Sequence, residues 1–141
     1  MEKVVEVLRA DVVNKNENYY PLEVLKDFAE RAAGDKAVIV DKPRDDLYSS
    51  SGNDLDFRNV VGVLSDFYIE GESLYATATV FDDFVDDVLK RFQKNKIPVY
   101  LSPCIAAERV AGGKVDKIEY IPEIRFTINP AAKWRGPFLN D

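Results

Sequence analysis

Apolar positions change their period several times along the chain, and each change marks an element. Val4, Val5, Val7 and Leu8 form a short β-branched run that ends in the polar residues 14–18, which predicts a strand followed by a loop. Pro21 suits a first helical position, and Leu22, Leu25, Phe28, Ala29 and Ala32 recur at three-and-four spacing before Gly34, so a helix is expected there. Residues 37–40 are a brief apolar strand. Residues 41–56 are rich in Asp, Ser, Pro, Asn and Gly, with too few apolar side chains to pack, and predict the longest loop. Residues 60–69 and 73–81 read as two strands reversed at Glu70-Gly71-Glu72, a hairpin.

Asp82 and Asp83 then precede Val85, Val88, Leu89 and Phe92, while Lys90, Arg91, Lys94 and Lys96 crowd the far end. That charge order complements a helix dipole and predicts a second helix. Residues 99–107 are strand-like but interrupted by Pro103. Ala111-Gly112-Gly113-Lys114 reads as a turn, residues 115–121 as a return strand, and residues 124–128 as a further strand stopping at Asn129-Pro130. The expectation is an α+β domain of two helices and a largely antiparallel, barrel-like sheet of about seven strands. It spans residues 1–130, with residues 131–141 as a C-terminal tail.

Composition narrows the function. At 141 residues the chain is of single-domain size, and its 46% hydrophobic and 31% charged residues are those of an ordinary globular protein. A net charge of −6 offers no general attraction to phosphate backbones or anionic lipid, so neither nucleic acid nor membrane is an expected partner. No run reaches the roughly 20 apolar residues of a membrane span. The chain has no histidine, which removes the usual neutral-pH general base and the commonest metal ligand. Cys104 is the sole cysteine and cannot pair within the chain. The N-terminus lacks the apolar core of a secretory signal, so synthesis in the cytosol is expected.

Candidate nucleophiles are Ser102 and Cys104. Without histidine, either would need a desolvated Lys or a carboxylate as base. The competing structural reading makes Ser102 a strand terminus before Pro103, and Cys104 a small core residue. The acid pairs Asp45/Asp46, Asp82/Asp83 and Asp86/Asp87 are adjacent in sequence and diverge in space, so they read as caps and solvated faces. The run of acids beginning at Asp82 lacks the glycine turn and terminal Glu of a calcium loop. Gly112-Gly113 has no phosphate-loop context. No metal and no cofactor are expected.

Several segments in order resemble the prohead maturation proteases of tailed bacteriophages. Asn14-Lys15-Asn16-Glu17-Asn18-Tyr19-Tyr20-Pro21 is similar to the opening of that family. Val60-Val61-Gly62-Val63-Leu64, with Glu70-Gly71 and Leu74-Tyr75-Ala76, is similar to its central hairpin. Ile97-Pro98-Val99-Tyr100-Leu101-Ser102-Pro103 resembles its nucleophile segment, and Phe126-Thr127-Ile128-Asn129-Pro130 its closing strand.

The resemblance also marks departures. Where the family carries His in an Asp-His-Pro context, this chain has Asp41-Lys42-Pro43, and the acid that follows the family's Phe corresponds to Thr127. The resemblance therefore implies a prohead-protease-like fold with a vestigial site at Ser102, Lys42 and Thr127 and no catalysis. It implies a structural auxiliary or decoration component of the virion capsid, bound to the major capsid protein or other virion proteins. Trp134, Phe138 and Leu139 of the tail are the expected contacts, with packing back onto the domain's own sheet as the equal alternative, and a homo-oligomer is among the possible arrangements. Two alternatives stand beside it: an active Ser-Lys maturation protease using Ser102 and Lys42, and a transient assembly factor that leaves before the particle matures.

Overall fold

The computed structural model describes residues 1–41, 59–109, 112–128 and 138. Element order is β1 (Glu2–Arg9), α1 (Leu22–Arg31), β2 (Ala37–Val40), β3 (Val60–Glu70), β4 (Ser73–Val80), α2 (Asp83–Lys94), β5 (Tyr100–Arg109) and β6 (Val115–Thr127). The six strands form one curled sheet in the order β1-β4-β3-β2-β6-β5. All neighbours are antiparallel except β2 and β6, which run parallel. The α+β class and the largely antiparallel sheet match the sequence expectation; the strand count is six rather than seven.

The difference lies in β6, which the sequence divides at Pro122 into two strands and which is one strand of 13 residues opposite the 10 of β5. Three register shifts separate Arg109/Val115 from Cys104/Glu123, each placing an extra residue on β6. Inward positions consequently recur every third residue, at Val115, Ile118, Ile121 and Ile124, and not every second as in a regular strand. Pro122 falls within the last shift, where a residue lacking an N–H interrupts no ladder bond. Pro103 is likewise accommodated inside β5 because β5 is an edge strand with one unpaired side. Bulges on a single strand increase its twist, and this coils the sheet around its core.

β4 shows the simple case, with Leu74, Ala76, Ala78 and Val80 buried in alternation. β3 keeps its partner's phase through one bulge between Ser65 and Tyr68, where Asp66 takes φ 57° and Phe67 returns to the core after Leu64. α1 lays Val24, Leu25 and Phe28 on that core, and the Phe28 ring meets Phe67 edge-on at 5.3 Å. Pro21 is the N-cap of α1, one position earlier than expected. The Arg31 guanidinium at the C-terminal end of α1 donates to the carbonyl oxygens of Ile118 and Glu119, in the bulged stretch of β6.

α2 begins as its sequence dictates: the Asp82 carboxylate accepts from the Val85 N–H at 2.9 Å. The chain's amino terminus reaches it from β1, with Met1 N 3.3 Å from Asp86 and donating to Val80 O at 3.1 Å. Of the α2 side chains only Leu89 is buried.

Candidate functional site

The nucleophile segment forms β5, and its register with β6 assembles the site. Tyr100, Ser102 and Cys104 stand opposite Thr127, Arg125 and Glu123. On the other side of β6, Arg125 pairs with Val40 and Glu123 with Val38. Alternation sends Leu101, Ile124, Phe126 and Ile39 into the core, and the polar set onto the opposite face. One face therefore carries a hydroxyl, a thiol, a guanidinium and a carboxylate across two strands. Directly opposite residues lie about 5 Å apart between Cα atoms and diagonal ones about 7–8 Å.

Ser102 is thus neither a strand terminus nor part of the core: it lies in mid-strand and half-buried. Cys104 is also half-buried, on Ser102's face and away from the core. Thr127, expected at the position of an acid, shares this face next to the Ser102–Arg125 pair. Lys42 lies outside the described residues; β2 runs on into Asp41, whose N–H donates to Asn59 O at 3.1 Å. Trp134 and Leu139 also lie outside the described residues.

Phe138 takes the second of the two courses open to the tail. As a partner contact its ring would face solvent, but it is 2% exposed. The ring packs 5.4 Å from Phe126, the Lys3 ammonium sits 5.7 Å over it, and Lys3 Nζ donates to its carbonyl oxygen. Burying an aromatic of this size stabilises the chain's own fold. Burial beneath this contact lowers the pKa of Lys3.

Glu123 is absent from the sequence candidates. It is 1% exposed, the most deeply buried charged residue among those described, and it sits diagonally from Ser102 on the same face. Its sequence signal is one acid inside the apolar run Ile121-Pro122-Glu123-Ile124; its position opposite Cys104 follows from three bulges, which the sequence does not display. The face therefore holds a carboxylate even though Thr127 replaces the expected acid.

The chemistry available here is limited by the base. A serine hydroxyl is almost wholly protonated near neutral pH, and nucleophilic attack needs a group to take its proton. No imidazole exists anywhere in the chain, and a guanidinium offers hydrogen-bond donors but no acceptor. Among the described residues, no group of three or more acids and cysteines is arranged to hold a metal ion, and no helix is long and apolar enough to cross a membrane. A separate cavity of about 220 Å³ lies between the end of α1 and β6, lined by Phe28, Arg31, Lys36, Phe67 and Tyr120. It shares no residue with the Ser102 face.

This architecture, a curled mixed sheet with two helices, is similar to that of a solved capsid assembly protease. The solved structure of the bacteriophage T4 capsid assembly protease, gp21, superposes with a TM-score of 0.58 at 15% identity, covering 89% of this chain and 81% of that one. At that identity the likeness is one of fold. No protein-family model matches the chain, and no curated protein matches it.

Proposed function

We propose that this protein is a catalytically inactive, prohead-protease-like component of a bacteriophage capsid, acting as an auxiliary or decoration protein. One observation carries the reading: a fold similar to that of a capsid assembly protease is built by a chain without histidine, leaving Ser102 in mid-strand with no imidazole to activate it. Its partner is the major capsid protein or another virion protein, and its location is the virion capsid. With Phe138 committed to the core, Trp134 and Leu139 remain the proposed tail contacts.

The test is quantitative mass spectrometry of purified mature particles, scoring copies of this chain per major capsid subunit and integrity through to Asp141. Intact copies at a simple ratio, with capsid processing unchanged by Ser102→Ala, support the reading. Presence only in immature particles replaces it with the transient assembly factor.

An active Ser-Lys protease is the second reading, favoured by the desolvated setting of Ser102's face, where Glu123 is 1% exposed, since burial is what leaves a lysine uncharged and able to take a proton. Loss of capsid processing in both Ser102→Ala and Lys42→Ala, with the chain absent from mature particles, would establish it and overturn the first.

A further inference from the structure

α2 leaves an apolar edge in solvent. Phe84 is 76% exposed and Phe81, just ahead of the helix, 57%; Val88 is only half-buried. Exposed aromatics that adjoin on one element mark an interaction surface, unlike single scattered ones.

At about 100° per residue, Phe84 and Val88 form one edge of the exposed face of α2. Asp83, Asp87, Arg91 and Lys94 form the other. Along the helix the acids occupy the first half and the bases the second. Two charged pairs close within the helix, Asp86–Lys90 at 2.8 Å and Asp87–Arg91 at 2.7 Å, and Asp83 and Lys94 stand at its two ends.

This order is self-complementary. A two-fold axis crossing the middle of α2 lays a second α2 antiparallel beside the first. It sets Val88 of each copy beside the axis next to its counterpart, lays Phe84 of each along the second half of the partner's helix, and brings Asp83 of each to the Lys94 end of the other. The opposed macrodipoles add to the attraction. A parallel pairing would set acid against acid, and a partner of single-sign charge would meet one half of the helix with repulsion. An isologous contact of this kind is the commonest way for copies of one chain to associate.

We propose that α2 is a self-association surface through which two copies of this protein pair antiparallel, with Val88 of the two copies meeting at the axis and Phe84 and Asp83 of each lying along the Lys94 end of the other. The pairing does not depend on the capsid reading and stands or falls with the chain alone.

The test is sedimentation equilibrium of the full chain at concentrations up to about 1 mM, with circular dichroism to check folding. Wild type is expected at twice 16.0 kDa. Phe84→Ser, at a site whose exposure makes it harmless to folding, weakens pairing about thirtyfold, the effect of losing an aromatic anchor from the contact. Asp83→Lys and Lys94→Glu each weaken it by setting like charges together at both ends. An equimolar mixture of those two variants restores it, because in the heterodimer the two substituted positions face each other with opposite charges, and so do the unsubstituted Asp83 and Lys94. A monomer throughout the range overturns the proposal, including one that binds capsid protein through Phe84. So does a dimer indifferent to Phe84→Ser, or one that mixing fails to restore.

Discussion

Gly113 shows how one position can hold two segments together. It has φ +82°, and a Cβ there would stand 1.9 Å from the Glu17 carbonyl oxygen. The approach is close because the 14–18 loop docks on this turn, with Tyr19 N–H donating to Gly113 O at 3.0 Å and Val115 N–H to Tyr19 O at 2.9 Å. Gly113→Ala meets both a left-handed backbone, worth about 1–2 kcal/mol, and a backbone clash that cannot relax through a side chain. A loss of about 3 kcal/mol in urea unfolding is expected. Gly34→Ala is the control: φ is +86° but nothing lies within 4 Å, so only the strain remains, about 1 kcal/mol.

Two titrating residues pull the pH dependence in opposite directions. Asp86 is held below the usual aspartate range by its hydrogen bond to Lys90 and by the amino terminus. Its contribution is present above the ordinary aspartate pKa and is lost as pH falls through the depressed value. Glu108 is raised, first by a hydrogen bond shared with Glu119 and then by that residue's charge. Its contribution is present below the ordinary glutamate pKa and is lost as pH rises through the raised value. Glu108 is solvent-exposed, and Asp86, though half-buried, pairs with an exposed Lys90, so the effects are small. Glu119→Gln removes the neighbouring charge that raises Glu108 and is expected to raise Tm by about 1–2 °C at pH 7 and by less in acid, as the Glu108 charge it relieves is lost; thermal scans at neutral and acid pH check this.

At the scale of elements, legibility in the sequence follows how local the determining physics is. α2 is readable because its cap, its charge order and its apolar period are all properties of one contiguous segment. The β3–β4 hairpin is readable for the same reason, turning at Gly71 with φ 60°. β6 is not, because a bulge is defined only against a partner strand, and its three-residue recurrence resembles neither a strand nor a helix in isolation. The same bulges hide the place of Glu123, whereas Ser102 is legible because its segment carries a pattern of its own. The local character of α2 gives a prediction. With only Leu89 buried, the helix depends heavily on its cap, and Asp82→Ala should cost about 1 kcal/mol. It should appear as an approximately fivefold faster amide exchange at Val85, while Asp82→Asn, which keeps the acceptor, stays near wild type.

For the molecule as a whole, the open question in any curled sheet is what closes its ends. β1 and β5 are the two edges of the sheet, and an uncovered edge invites pairing with other chains. The tail answers in part: Phe138 lies against Phe126 of β6 while its carbonyl oxygen and its ring both engage Lys3 of β1. One residue, 135 positions away in sequence from Lys3, thereby links the edge strand β1 to β6, which lies next to the other edge. The tail has no apolar period, so this role is invisible in the sequence, where the same aromatic serves equally well as an interface anchor. Phe138→Ala distinguishes the two uses. A core ring is expected to cost about 3–5 kcal/mol in urea unfolding, and the pKa of Lys3, lowered by burial under this contact, should rise toward its ordinary value when followed by NMR at its Cε. An interface ring would leave both quantities at wild type and weaken only particle binding.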